Sequence, residues 1–183
     1  VRFHRRQKKV LSLDIKSFYD CLTNWMVFQL FMENGYNESV AMMLTGLCCL
    51  NGSLPQGAPT SAALSNLLMK KFDEIVGKYC KEQEIRYTRY ADDLTFSTNI
   101  KTFDEDEFIA ELRKIIEYTG FQINEHKTRL SFKDSRQEVT GLVVNKKINV
   151  KREYYRTTRA MLSSLYKTGT FTIEESEGKI SQL

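Results

Sequence analysis

The sequence predicts an α+β fold, an antiparallel β-sheet with helices packed on one face. Three observations predict it: strand-like stretches lie early and late in the chain, amphipathic helical stretches lie between them, and a short hairpin interrupts the helices near the middle.

In order, "KVLSLDI" (residues 9–15) alternates apolar and polar residues, the period of a half-buried strand, and ends at Asp14. "NWMVFQLFMENG" predicts a helix from Asn24 closed by Gly35, and Asn37 caps a second through "ESVAMMLTGLCCL". "NGSLPQGAPTS" is a loop, punctuated by glycine and by both prolines of the chain. "SAALSNLLMKKFDEIVGKYC" predicts one long apolar-striped helix, and "EIRYTRYADDLTFST" the hairpin. "DEDEFIAELRKIIEYTG" is an amphipathic helix whose acidic first turn suits the helix dipole and whose end is marked by Gly120. "QINEHKTRLSF" and "EVTGLVVNKKINV" read as further strands. "KREYYRTTRAMLSSLYKTG" predicts a last helix, with Tyr155, Arg159, Leu162 and Tyr166 at helical spacing.

A length of 183 residues suits one domain or slightly more, and an apolar share of 42% supports a core. No apolar run approaches the ~18 residues of a membrane span. The longest candidate, residues 40–50, is broken by Thr45 and Gly46, and no secretory signal opens the chain, so no membrane partner is expected. Cys21, Cys48, Cys49 and Cys80 lack metal-ligand spacing and are expected to be reduced core residues of a cytoplasmic protein. The chain starts at Val1 in "VRFHRRQKK", which reads as mid-sequence, so a fragment is expected. The net charge is a mild +4, but its placement is uneven. Arg2, Arg5, Arg6, Lys8 and Lys9 form one basic group, and Lys146, Lys147, Lys151, Arg152, Arg156 and Arg159 another. Such groups contact phosphate backbones, or are simply solvated faces.

The chemistry concentrates in "YTRYADDLTFST", where Asp92 and Asp93 interrupt a strand-like run. Aspartate is disfavoured in strands, and adjacent carboxylates repel, more so when partly buried. A tight turn is one explanation, because aspartate bonds its own backbone there. A cation between the carboxylates is the other, since Mg²⁺ is held by one or two carboxylates plus substrate phosphates. If the early strand lies beside the hairpin, Asp14 joins the pair. Three carboxylates could then hold two Mg²⁺ ions about 4 Å apart that clamp an in-line phosphoryl displacement. Such chemistry needs little beyond positioned carboxylates and positive charge.

These motifs together resemble those of a reverse transcriptase, specifically a bacterial retron-type one. "YADD" resembles the family's aspartate-pair hairpin, and "LSLDIKSFYD" the strand supplying the third aspartate. "LPQGAPTS" followed by "LSN" resembles the loop and helix that hold the incoming nucleotide, with Ser61-Ala62 where many relatives have Ser-Pro. "GFQINEHKT" resembles the segment after the hairpin, and "VTGLVVN" the primer-contacting hairpin with a retron-lineage "VTG". His4 falls where the histidine of a retron Asn-Ala-x-x-His element would stand, although Val1 takes the Ala position and the Asn would precede the chain. A lone aspartate pair is a weak signal, whereas five motifs in order along nearly the whole chain are a strong one.

The resemblance implies a polymerase palm over residues 1–150, with most of the fingers missing, and the beginning of a helical thumb over 151–183. It implies RNA-directed DNA polymerisation, adding deoxynucleotides to a primer 3′ end with two Mg²⁺ ions (Mn²⁺ a substitute), and a retron-like role in phage defence. The implied partners are an RNA template, a DNA or RNA primer, dNTPs, a cognate structured non-coding RNA and an effector protein. Asp14, Asp92 and Asp93 match the catalytic carboxylates, with the Ile15 backbone carbonyl facing a metal and Asp93 nearer the primer end. Tyr19 matches an aromatic gate that clashes with a 2′-hydroxyl; Phe18 beside it is the better core residue. Gln56 and Gly57 match the nucleotide-binding Gln-Gly pair, and Lys127 approaches the triphosphate or is a solvated lysine. Gly141 and Leu142 match the grip on the primer, with a strand bulge the alternative for the glycine. Lys146, Lys147, Arg152, Arg156 and Arg159 continue that site as a phosphate track. His4 and His126 are expected to be structural.

Other readings make different demands on the same residues. A nucleotidyl cyclase would lack the "LPQG" loop and Tyr19. A template-independent polymerase of a related defence system would keep the carboxylates, and a non-catalytic RNA-binding module would have no use for them.

Overall fold

Alternation in Lys9–Asp14 becomes the central strand, β1, of a four-stranded antiparallel sheet. Its partners are β2 (Arg86–Tyr90), β3 (Asp93–Thr98) and β4 (Arg129–Phe132), in the order β2-β3-β1-β4. The structure is a computed structural model that describes residues 1–173 and 176–178.

The register sorts the sheet into two faces. Leu11 lies opposite Phe96 and Leu130, and Leu13 opposite Leu94, giving one apolar face. Val10 lies opposite Ser97, Ser12 opposite Thr95, and Asp14 opposite Asp93, giving a largely polar one. The apolar face is covered by α5 (Lys70–Glu82) and α6 (Glu105–Tyr118), as expected. Phe72, Val76 and Cys80 repeat every fourth residue along α5, as do Phe108, Leu112 and Ile116 along α6, so each helix buries one stripe. Each such apolar side chain, fully buried, contributes roughly 1.5–3 kcal/mol.

Upstream lie α1 (Phe18–Cys21), α2 (Asn24–Glu33) and α3 (Glu38–Cys48). Asn37 caps α3 as predicted, its Oδ1 accepting from Val40 N at 2.9 Å. The long helix expected over residues 61–80 is instead two, α4 (Ser61–Leu68) and α5, parted at Met69. Met69 has ψ 1° and is 1% exposed, a buried pivot between the two axes.

The late strands also depart from expectation. In "QINEHKTRLSF" only β4 is a full strand. Ile123 makes a lone bridge to Ile15, Asn124 N bonds Asp14 O at 2.8 Å, and a 3₁₀ turn follows at Glu125–Lys127, where Lys127 N bonds Asn124 O at 3.1 Å. In "EVTGLVVNKKINV", β5 (Glu138–Val139) and β6 (Leu142–Val143) form a separate hairpin outside the main sheet. Val139 and Val144 pack against Val10 on the sheet's polar side. Thr140 and Gly141 join the two strands with φ of 47° and 80°, the two positive angles of a type I′ turn, rather than a bulge.

The predicted last helix is α7 (Arg152–Thr168), closed by Gly169 at φ 77°. None of its residues is buried. β7 (Phe171–Ile173) and β8 (Ser176–Gly178) follow as a pair that the sequence did not suggest. Of the expected thumb segment, residues 174, 175 and 179–183 lie outside the described residues. Among the described residues no helix is long and apolar enough to cross a membrane. Cys21, Cys48, Cys49 and Cys80 are free thiols.

His4 is structural, as expected. It is fully buried, with Nδ1 2.7 Å from Ser97 Oγ and Nε2 2.8 Å from Thr88 Oγ1, and so pins the N-terminal segment to the polar face. Burial, with the charges of the N-terminal amine and of Arg86 adding to it, lowers its pKa from 6.5 to about 4. The unfolded chain therefore takes up a proton that the folded chain refuses. Stability should be complete above about pH 6.5, fall as the pH drops toward 4, and lose about 3 kcal/mol through this group. Urea unfolding at pH 7.5 and pH 4.5 should differ by most of that amount, and His4→Gln should shrink the difference. An unchanged pH dependence in the variant would mean that other groups carry it.

Candidate active site

A cleft of about 480 Å³ opens at the end of β1. Six residues singled out in the sequence line it: Asp14, Ile15, Tyr19, Gln56, Asp92 and Lys127. Apart from Ile15, which directly follows Asp14, each arrives from a different local structure. Asp14 ends β1 and Tyr19 lies in α1. Gln56 stands in the loop before α4, Asp92 in the Ala91–Asp92 turn between β2 and β3, and Lys127 in the 3₁₀ turn. A second depression of about 570 Å³, between α2 and α3, is lined by Trp25, Phe28 and Met42 and contains none of the predicted residues.

The carboxylates are held from several sides. Asp14 lies directly across from Asp93 in the β1–β3 ladder, and the Asp92 carbonyl accepts from Ile15 N at 3.0 Å. The Asp14 side chain is 8% exposed. Lys127 Nζ lies 3.0 Å from its Oδ2, and Asn124 Nδ2 donates to its Oδ1 at 3.1 Å. The hydrogen bond to Asp14 raises the Lys127 ammonium pKa, helped by the charges of Asp14, Asp92 and Asp93. Burial raises the Asp93 carboxyl pKa, and the neighbouring charges of Asp92 and Asp14 raise it further.

The expected convergence of three carboxylates is only partly met. Asp14 and Asp92 share the cleft, whereas Asp93 is not part of its lining. Among the described residues no three Asp, Glu, His or Cys side chains gather into a cage for an ion. Asp93 begins β3 directly opposite Asp14 and its carboxyl feels the charges of both Asp92 and Asp14, so it stands beside the pair without lining the cleft. Asp14 and Asp92, in an open, polar cleft that Asp20 also lines, do fit Mg²⁺, which keeps waters and fills its octahedron with substrate phosphates.

The remaining predicted residues fall in several places. Phe18 is 3% exposed in the core, and the half-buried Tyr19 meets it edge-on at 5.1 Å, leaving Tyr19 facing the cleft. Gly57 follows Gln56 at φ 87° but does not line the cleft. Gly141 and Leu142 lie in the separate β5–β6 hairpin, and the exposed Lys146 and Lys147 in the bend beyond it. Arg152, Arg156 and Arg159 share one face of α7 with Tyr155, around a shallow depression.

Two features were not foreseen. Asn124, three residues before Lys127, grips Asp14 through both backbone and side chain. Beneath the hairpin, Arg89, Tyr87 and Asp73 form a hydrogen-bonded group. The one trace of it in the sequence is a charged residue at an apolar position of an alternating strand.

The family described as reverse transcriptase (RNA-dependent DNA polymerase) matches residues 1–144. The chain belongs to the reverse transcriptase family. Within that family its similarity runs to retron members. The retron Ec86 reverse transcriptase of Escherichia coli is 37% identical over 175 residues, covering 94% of this chain and 54% of the relative. The retron Mx65 reverse transcriptase of Myxococcus xanthus is 33% identical over 177 residues, covering 87% of this chain and 41% of the relative. The chain thus spans about half or less of the length of these curated relatives. An apo telomerase structure from Candida tropicalis, truncated from its C-terminal domain, aligns with a TM-score of 0.56 at 13% identity. It covers 81% of this chain and 36% of the telomerase, a likeness of fold that agrees with a palm-type α+β domain. Reverse transcriptases in general use a divalent metal and an RNA template with a primer.

Proposed function

We propose that the protein is an RNA-directed DNA polymerase of retron type, in which residues 1–150 form the palm and 151–183 begin the thumb. One observation carries the reading: Asp14, Ile15, Tyr19, Gln56, Asp92 and Lys127, each assigned a catalytic or nucleotide-binding role by the family's motifs, meet in one cleft. A volume of about 480 Å³ is within the range of small-ligand sites, which suits a nucleotide.

In this reading Asp14 and Asp92 would hold a bound metal with the Ile15 carbonyl, and Asp93 would serve the primer end beside them. Bound Mg²⁺ would lower the pKa of the primer hydroxyl and stabilise the leaving pyrophosphate oxygens. Lys127 then exchanges Asp14 for the triphosphate. Gln56 hydrogen-bonds the nucleotide, Gly57 turns the loop, and the Tyr19 ring lies under the sugar. Gly141 and Leu142 steady the primer, and Lys146, Lys147, Arg152, Arg156 and Arg159 follow its phosphates. The test is primer extension by the full-length protein on an RNA template with Mg²⁺ and dNTPs. Template-dependent DNA synthesis is expected. Extension indifferent to the template would point to the template-independent alternative, and no extension would overturn both.

Tyr19→Ala should raise ribonucleotide insertion relative to dNTP insertion, because the clash with the 2′-hydroxyl is removed. Unchanged discrimination at preserved activity would make Tyr19 a packing residue. Replacing Arg152, Arg156 and Arg159 with Gln should weaken template–primer binding alike on all sequences. It should also flatten the salt dependence by about 0.7 to 0.9 in slope per lost phosphate contact. Affinity and slope matching the unmutated protein across a salt series would leave that face of α7 merely solvated.

A further inference from the structure

Arg89 is a charged residue on the apolar side of its strand. It stands opposite Leu94, in the row that carries Tyr87 opposite Phe96, and its side chain is only 5% exposed. A guanidinium so placed must find acceptors for its donors. Nε and Nη2 fork onto the carboxylate of Asp73 in α5 at 2.8 and 2.7 Å. Nη1 donates to the Ala91 carbonyl at 3.2 Å. Tyr87 completes the group, its hydroxyl donating to Asp73 Oδ1 at 2.7 Å.

Ala91 opens the hairpin turn at φ 51°, a left-handed conformation disfavoured for any residue with a Cβ. Such a conformation persists where the surroundings over-determine it. The Ala91 carbonyl belongs to the peptide that leads into Asp92. On the other side, the Asp92 carbonyl accepts from Ile15 N at 3.0 Å. The peptides flanking Asp92 are therefore each tied down, one to Arg89 and one to the residue after β1. With both fixed, the direction of the Asp92 Cα–Cβ bond is fixed too.

We propose that Asp73 and Arg89 are positioning residues: their ion pair beneath the hairpin holds the left-handed Ala91 and thereby aims the Asp92 carboxylate into the cleft beside Asp14. The inference rests on the reading of Asp14 and Asp92 as metal ligands. Lysine at position 89 would keep the charge, but a single ammonium cannot fork onto Asp73 and reach Ala91 at once.

The probe is Mn²⁺ alone, titrated into the full-length protein and followed by water-proton relaxation, with the melting temperature measured on the same samples. Asp92→Asn should weaken Mn²⁺ binding. Arg89→Lys should weaken it by about tenfold or more, the usual effect of losing a group that orients a metal ligand. Tyr87→Phe removes a donor from the same network without touching Ala91. It should lower the melting temperature while leaving Mn²⁺ affinity within about twofold of the unmutated protein, since no bond that orients Asp92 is lost. Unchanged Mn²⁺ affinity in Arg89→Lys overturns the proposal. So does an equal loss in Tyr87→Phe, because the network would then act through stability alone. If Arg89→Lys does not fold, Asp73→Asn, which keeps an acceptor for the fork and removes its charge, takes its place in the same comparison. Equal binding by the unmutated protein and Asp92→Asn would instead sink the metal-site reading, and this inference with it.

Discussion

Asp92→Asn should abolish primer extension and leave the fold intact or slightly more stable. Metal-borne stabilisation of the transition state amounts to several kcal/mol, so losing a ligand should slow extension by roughly 10³-fold or more. The stability effect has the opposite sign. Asp92 stands among Asp14 and Asp93, and its charge is one cause of the raised Asp93 pKa. Removing one negative charge relieves repulsion. Single-nucleotide extension at saturating Mg²⁺, paired with a melting curve, measures both. An Asp92→Asn protein that still extends a primer would sink the assignment of the cleft as the active site.

Phe96→Ala should be the most destabilising single change away from the cleft. Phe96 is 1% exposed in the middle of β3, opposite Leu11 and Tyr87. It stacks on Tyr87 at 5.2 Å and meets Phe108 of α6 edge-on at 5.6 Å, so it joins the sheet to the helix layer. Truncating a buried phenylalanine costs about 3–5 kcal/mol through lost transfer and the cavity left behind. That is a large share of the 5–15 kcal/mol that holds a typical domain together. The urea midpoint should fall accordingly with little change in slope. A loss under about 1 kcal/mol would show that the surrounding core closes over the gap.

The two faces of the sheet were legible because strand alternation is a local property. Leu11 and Leu13 mark one side of β1 and Ser12 and Asp14 the other, and the ladder only had to pair them. The cleft was legible through motifs, which brought Asp14, Tyr19, Gln56, Asp92 and Lys127 to one place across more than a hundred residues of chain. The break at Met69 was not legible, since the apolar stripe continues through it from Leu64 and Leu68 to Phe72 and Val76. The grip of Asn124 on Asp14 spans 110 residues and leaves no periodic trace. Arg89 was visible as an anomaly, but nothing local to β2 names Asp73 on a neighbouring helix as its partner. That Asp93 pairs directly with Asp14 depends on where the turn ends and β3 begins, a boundary that residue types alone do not set.

The central place of β1 has a consequence for how the cleft breathes. β3 flanks it along its whole length, β4 flanks residues 9–12 on the other side, the Asp14 carbonyl accepts from Asn124 N, and Leu11 and Leu13 are anchored in the core. Local opening is slowest where backbone bonds are doubly flanked and side chains deeply packed, so β1 should be among the last segments to exchange its amide hydrogens. Asp14 therefore rides on a slow-exchanging floor. Tyr19 sits on a single helical turn, Gln56 on a loop and Lys127 on a 3₁₀ turn, all elements that open at lower cost. The cleft pairs a rigid floor with walls that open at lower cost, so its rim can rearrange without disturbing the residue at its base.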